Sequence, residues 1–196
     1  MRPTPLYNLI GILSAPVLYG LYRLRAIGKE NLPEGGCVLA CNHVSSLDPW
    51  ALGMPLWPQR FLRFMAKSEL YWPPLSYVLN RVGAFPVRRG QRDVLAIETA
   101  VQLARDGHIV AMFPEGTRRR KGLIKRFEAR PRTGAARIAL EAGVPLVPAA
   151  VSGTDRLLRF GPLRVAYGVP IDTTGLDAQQ ATDRLMEAIE QLEASL

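Results

Sequence analysis

The stretch Cys37-Val38-Leu39-Ala40-Cys41-Asn42-His43-Val44-Ser45-Ser46-Leu47-Asp48-Pro49 opens on five consecutive apolar residues and closes on a pair that starts helices. Five apolar residues in a row read as a strand buried on both faces, as strands are inside parallel sheets. Asp48 followed by Pro49 predicts a short helix, with Asp48 as its N-cap and Pro49 in its first turn. Asn42, His43 and Ser45 therefore fall in a strand-to-helix loop.

Working outward, short apolar runs keep alternating with helix-spaced stretches, which predicts an α/β fold. Residues 61–66 form a second strand candidate, 74–82 a helix and 84–87 a short extended piece. Val94, Ile97, Val101 and Ala104 recur at helical spacing, and Gly107 supplies a stop. His108, just after Asp106-Gly107, reads as a turn residue. The run Ile109-Val110-Ala111-Met112-Phe113 is the most strand-like in the chain and delivers Pro114-Glu115-Gly116-Thr117-Arg118 at its carboxyl end, where α/β sheets place reactive groups. A helix over 134–142 stopped by Gly143, strands over 146–151 and 163–167, and an amphipathic C-terminal helix carrying Leu185, Ile189, Leu192 and Leu196 complete the pattern. The expectation is one catalytic domain over residues 28–196, a central mixed sheet flanked by helices.

On the N-terminal side, residues 3–22 carry no charge, are rich in Leu, Ile and Tyr, and are followed by Arg23, Arg25 and Lys29. That is the pattern of a membrane-seeking helix with a basic flank. Gly11, Pro16 and Gly20 interrupt it, and Tyr7, Tyr19 and Tyr22 suit an interface, so residues 1–27 are expected to form a helix or helical hairpin that dips into one leaflet rather than crossing it. An amphipathic helix packed on the domain is the alternative. A cleaved signal peptide fits poorly, because the start carries only Arg2 and no clear small-residue cleavage site follows.

With 196 residues and 48% hydrophobic content, the chain is long enough for one ordinary core and too apolar for disorder. Its formal charge of +8 implies anionic partners: nucleic acid, an acidic membrane surface or a phosphorylated substrate. If Cys37 and Cys41 share a strand, their Cα atoms lie roughly 13 Å apart, too far to bridge. Buried, reduced thiols in a cytosol-facing domain follow.

Two groups of residues can carry chemistry. His43 and Asp48 would point apart on a continuous helix, but across a loop the carboxylate can fold back to the imidazole. Such a pair makes a general base, the Asp fixing the tautomer while the other ring nitrogen takes a proton from a hydroxyl. In Phe113-Pro114-Glu115-Gly116-Thr117-Arg118, Gly116 permits a tight turn that brings Glu115 near Arg118, whose guanidinium fork can hold a phosphate bidentately. Each alone has a plain structural reading, a capping Asp in the first case and a solvated turn in the second.

Together they resemble the phospholipid and glycerolipid acyltransferases of the 1-acylglycerol-3-phosphate acyltransferase type. The His-x4-Asp block stands as Asn42 to Asp48, the second block as Gly83-Ala84-Phe85-Pro86-Val87-Arg88-Arg89, the third as Phe113 to Arg118, and the apolar fourth as Val144-Pro145-Leu146-Val147-Pro148. The likeness runs from about Gly28 to Asp155 and includes Glu30-Asn31-Leu32-Pro33 and Ala66-Lys67-Ser68-Glu69-Leu70. It implies acyl transfer from acyl-CoA or acyl-carrier protein to a lysophospholipid hydroxyl, with no acyl-enzyme, no metal and no cofactor beyond the co-substrate. Carried over, His43 is the base and Asp48 its orienter. Glu115, Gly116, Thr117 and Arg118 bind the acceptor, Arg89 holds its phosphate, Arg88 sits where many members carry another residue, and Lys67 is a basic residue near the same site. The tetrahedral oxyanion needs donors, backbone N–H groups or a cation, which the resemblance does not identify.

One departure is the basic run Arg118-Arg119-Arg120-Lys121 with Lys125, Arg126, Arg130 and Arg132, longer than the resemblance leads one to expect. It suits anionic headgroups or the CoA nucleotide, or forms a solvated loop. Nucleic acid is disfavoured, since no recognisable binding motif or stacking-aromatic pattern accompanies the charge. The implied partners are then a membrane lipid substrate, an acyl donor and an anionic membrane surface, for a peripheral or monotopic protein whose active site faces the cytoplasm. Other acceptors within the family, a lyso-ornithine lipid or a glycolipid, and a non-catalytic lipid-binding relative are the competing readings.

Overall fold

The structure, a computed structural model, describes residues 3–88, 93–116 and 131–196. Chain order is α1 (Pro5–Ala15), β1 (Arg25–Ile27), β2 (Cys37–Cys41), α2 (Asp48–Gly53), β3 (Leu62–Lys67), α3 (Leu75–Arg81), β4 (Ala84–Val87), α4 (Val94–Arg105), β5 (Ile109–Met112), α5 (Gly134–Ala142), β6 (Leu146–Ser152), β7 (Arg164–Tyr167) and α6 (Ala178–Ala194). The strands form one sheet in the order β1-β7-β6-β2-β5-β3-β4.

β2 sits at its centre, paired in parallel with β5 on one side and β6 on the other. All five of its residues are buried, because each face of the sheet is covered. Cys37, Leu39 and Cys41 point into a core shared with Leu18 and with Ala51 and Leu52 of α2. Val38 and Ala40 point into a second core made with α4, α5 and α6. This two-sided burial is why the run is uniformly apolar rather than alternating. β6 and β7 are the antiparallel pair, which makes the sheet mixed as expected.

Most expected elements form, with ends shifted by a residue or two. α5 stops at Gly143, whose φ of +68° is the left-handed geometry a glycine cap supplies. Asp93 starts α4 by accepting from the Ala96 N–H, and the Arg88 N–H bonds the same carboxylate, which holds its pKa below the usual range. Both cysteines are free and buried, and burial pushes the Cys37 thiol up to about 11.

Two features differ from the sequence reading. β1 was not expected; it pairs with β7 at the sheet edge, so the sheet includes residues on the N-terminal side of the 27/28 division. α6 starts well before its leucine spacing, at a capping box in which Asp177 accepts from Gln179 and Gln180 N–H groups and the Gln180 side chain answers the Asp177 N–H. His108 follows the Asp106-Gly107 turn and is buried, its carbonyl accepting from the Cys37 N–H, and burial lowers its pKa.

α1 continues through a π-helical turn, Pro16–Leu21, with no reversal into a hairpin. Its inner side is tied to the domain: the Trp50 indole donates to Ser14 Oγ, the Trp57 indole to Asn8 Oδ1, and the Tyr19 hydroxyl to the Met54 carbonyl. Its outer side leaves Leu9, Ile12, Leu13 and Val17 exposed. Among the described residues no helix is long and apolar enough to cross a membrane.

Candidate active site

The loop after β2 is held from below by Asn42. Its amide donates to the Val151 carbonyl and accepts from the Val151 N–H, 3.0 and 2.8 Å, and also donates to Glu193 of α6 at 2.6 Å. With that residue pinned to β6, the chain turns and presents His43 at the carboxyl end of the central strand, the position expected in α/β sheets.

Asp48 is not the N-cap of α2; Leu47 is. The carboxylate instead turns back over the loop. Oδ2 accepts from His43 Nδ1 at 2.8 Å and from the Val44 and Ser45 N–H groups at 2.8 and 2.9 Å, while Oδ1 accepts from the Thr154 hydroxyl at 2.6 Å. A carboxylate with 0% exposure is costly unless saturated with donors, and four surround this one. The bond to Nδ1 places a proton there and leaves Nε2 as the acceptor, the tautomer a general base needs. Phe113, just past β5, stacks on the imidazole at 4.3 Å between centroids and 28° between planes, fixing the ring's tilt.

His43 lines a cavity of about 410 Å³, within the range of roughly 300–1,000 Å³ typical of ligand sites. The rest of its wall is mostly apolar: Tyr7, Ile10 and Gly11 of α1, Trp50, Phe64, and Leu79 and Val82 beside β4. Lys67, exposed at the end of β3, stands on the rim with Leu70. The Val44 and Ser45 amides are engaged by Asp48, so the oxyanion that develops on the thioester carbonyl must draw on other donors.

Beyond β5, Glu115 is buried and Gly116 turns the chain at φ +66°. A Cβ there would come within 2.7 Å of Arg132 Nε. Glycine at 116 thus allows both the turn and the close approach of a guanidinium. Arg132 is anchored by its N–H to the Pro114 carbonyl at 2.8 Å, and with Arg88 it lines a smaller cavity of about 170 Å³ next to Phe113. Arg89, Thr117 and Arg118, and the basic positions Arg119 to Arg130, lie outside the described residues.

Sequence reasoning missed the role of Thr154. Its hydroxyl reaches Asp48 across 106 positions of chain, and no local pattern announces such a contact. Gly153, at φ +88°, makes the turn that delivers it from the end of β6.

A family model described as Acyltransferase matches residues 23–152, and the chain belongs to that family. It is 33% identical over 179 residues to the 1-acyl-sn-glycerol-3-phosphate acyltransferase of Bacillus subtilis, covering 86% of this chain and 85% of that one. A chloroplastic 1-acyl-sn-glycerol-3-phosphate acyltransferase of Brassica napus is 29% identical over 187 residues, which span 88% of this chain but only 52% of the plant protein. The crystal structure of the 1-acyl-sn-glycerophosphate acyltransferase PlsC from Thermotoga maritima shares the fold, with a TM-score of 0.72 at 23% identity over 96% of this chain and 78% of that one.

Proposed function

We propose that this protein transfers a fatty acyl group from acyl-CoA or acyl-carrier protein to the free hydroxyl of lysophosphatidate, giving phosphatidate for phospholipid synthesis. The observation that carries the reading is the His43–Asp48 pair, saturated with donors and opening onto an apolar cavity sized for part of an acyl chain.

In the reaction the acceptor hydroxyl attacks the thioester carbonyl while His43 Nε2 takes its proton. Asp48 stabilises the resulting imidazolium and keeps the ring in place. The tetrahedral intermediate then collapses, breaking the C–S bond, and the imidazolium returns its proton to the departing thiolate. Glu115, Gly116, Thr117 and Arg118 bind the acceptor and Arg89 its phosphate, with Lys67 on the cavity rim as a further cation. No acyl-enzyme forms, and no metal or cofactor takes part.

The exposed apolar side of α1, followed by Arg23 and Arg25, supports a peripheral or monotopic attachment to an anionic membrane, with the active site on the cytoplasmic side where acyl donors are found. The test is acyl transfer by detergent-purified protein from palmitoyl-CoA or palmitoyl-acyl-carrier protein to lysophosphatidate, with His43→Ala as blank. Phosphatidate formed by wild type alone supports the reading. Absence of product with both donors, or an acyl group trapped on the protein during turnover, contradicts it.

A further inference from the structure

α3 and the segment leading into it form a second apolar surface that the function above does not use. Tyr77 and Val78 on α3, and Leu70 and Trp72 before it, are exposed. α3 lies beside α1: the Thr4 hydroxyl bonds the Arg81 carbonyl at 2.6 Å, and the two helices contact each other. Both turn their inner sides to the same cavity, α1 through Tyr7, Ile10 and Gly11, α3 through Leu79 with Val82 just after it. Their outer sides therefore face the same way, α1 exposing Leu9, Ile12 and Leu13 and α3 exposing Tyr77 and Val78 beside Asn80 and Arg81.

A patch of this kind beside a polar, strongly basic remainder marks an interaction surface. Three observations favour a lipid leaflet over a protein as its occupant. Trp72 and Tyr77 have the amphipathic aromatic character suited to the headgroup level. Arg81 stacks on the Tyr77 ring at 4.4 Å, keeping a cation beside the patch where anionic headgroups would lie. The patch is also continuous with the rim residues Leu70 and Lys67, where the cavity that reaches His43 begins.

We propose that α3, with the Leu70–Trp72 segment, enters an anionic phospholipid leaflet alongside α1, so that the two helices form a lipid-embedded roof over the cavity. The lipid chain then passes from the leaflet to His43 over the Leu70 and Lys67 rim without crossing water. This rests on the membrane reading of α1, and the experiment separates the two. Single cysteines at Ile12, at Val78 and, as an aqueous reference, at Glu187 on the exposed side of α6 are labelled with an environment-sensitive fluorophore in the full chain; native Cys37 and Cys41 are buried. Vesicles of phosphatidylglycerol and phosphatidylcholine carrying nitroxide-labelled lipid are then added.

Quenching at both Ile12 and Val78, with Glu187 unaffected, is the expected result. Quenching at Ile12 with Val78 behaving like Glu187 overturns the α3 inference and leaves the α1 reading standing. No quenching at either overturns both. In a second measurement, Val78→Asp should lower turnover of vesicle-borne acceptor about tenfold or more, given the cost of a carboxylate in hydrocarbon, while a short-chain acceptor free in solution is turned over at the wild-type rate. Equal losses on both acceptors overturn the proposal.

Discussion

The floor and the roof of the cavity are built on opposite terms. The floor is the loop between β2 and α2, where both carboxylate oxygens of Asp48 are engaged and Asn42, His43 and Asp48 are buried. The roof is α1 and α3, whose outer sides leave large apolar residues exposed. A base needs a single rigid geometry, and buried, satisfied hydrogen bonds supply it. A surface that meets fluid lipid needs apolar area and a cationic fringe, and no fixed partner.

This contrast can be broken at the floor first. His43→Ala should lower turnover by about 10² to 10⁴, and by taking one of four donors from a buried carboxylate it should also cost about 1 to 3 kcal/mol of stability. Undiminished turnover would remove the base assignment, and with it the meaning of the floor. Leu39→Ala, in the strand that carries the loop, should cost about 2 to 5 kcal/mol of stability in urea denaturation, because its side chain is wholly enclosed. A cost near zero would show that β2 is not the rigid support described.

Thr154→Val removes one donor from a buried carboxylate and should cost about 1 to 3 kcal/mol of stability, with a lower kcat and little change in KM. Thr154→Ser keeps the hydroxyl and should restore most of the loss. If valine and serine behave alike, Thr154 only fills space. At the roof, Leu13→Ser should weaken sedimentation with anionic vesicles by about tenfold or less and leave the urea midpoint unchanged, since the side chain buries only against lipid. A shift in the urea midpoint would mean that α1 packs there against protein.

The smallest effect concerns the thiols. With Cys37 pushed up to about 11 by burial, the folded protein at pH 8 should react with a soluble disulfide reagent only after denaturant is added. Rapid reaction of native protein would place an opening beside the central strand.

How far the sequence could be read follows the range of each interaction. β2 and β5 are legible because strands buried on both faces must be apolar at every position, a demand local to the run. α4 and α5 are legible through helical spacing and their stops. β1 is not, since Arg25-Ala26-Ile27 carries no period of its own and is a strand only because Arg164 to Ala166 of β7 lie alongside. Asp48 was misread as a cap because Asp before Pro is a strong local signal. In the fold the same carboxylate finds better donors behind it, among them a threonine that sequence cannot place.

The sequence by itself determined the α/β alternation, the His43 and Asp48 pair and their strand-to-helix loop, and the apolar, uncharged character of residues 3–22, for all of these are written in neighbouring residues. Only the tertiary structure decided that Asn42 is clamped to Val151, that Thr154 closes the carboxylate's shell, that Arg132 lies over Gly116, and that α1 and α3 lie side by side against the cavity. Each of these joins residues far apart in the chain, and hydrogen bonds and apolar contacts act at a few ångströms. Their partners are settled when the sheet brings its strand ends together.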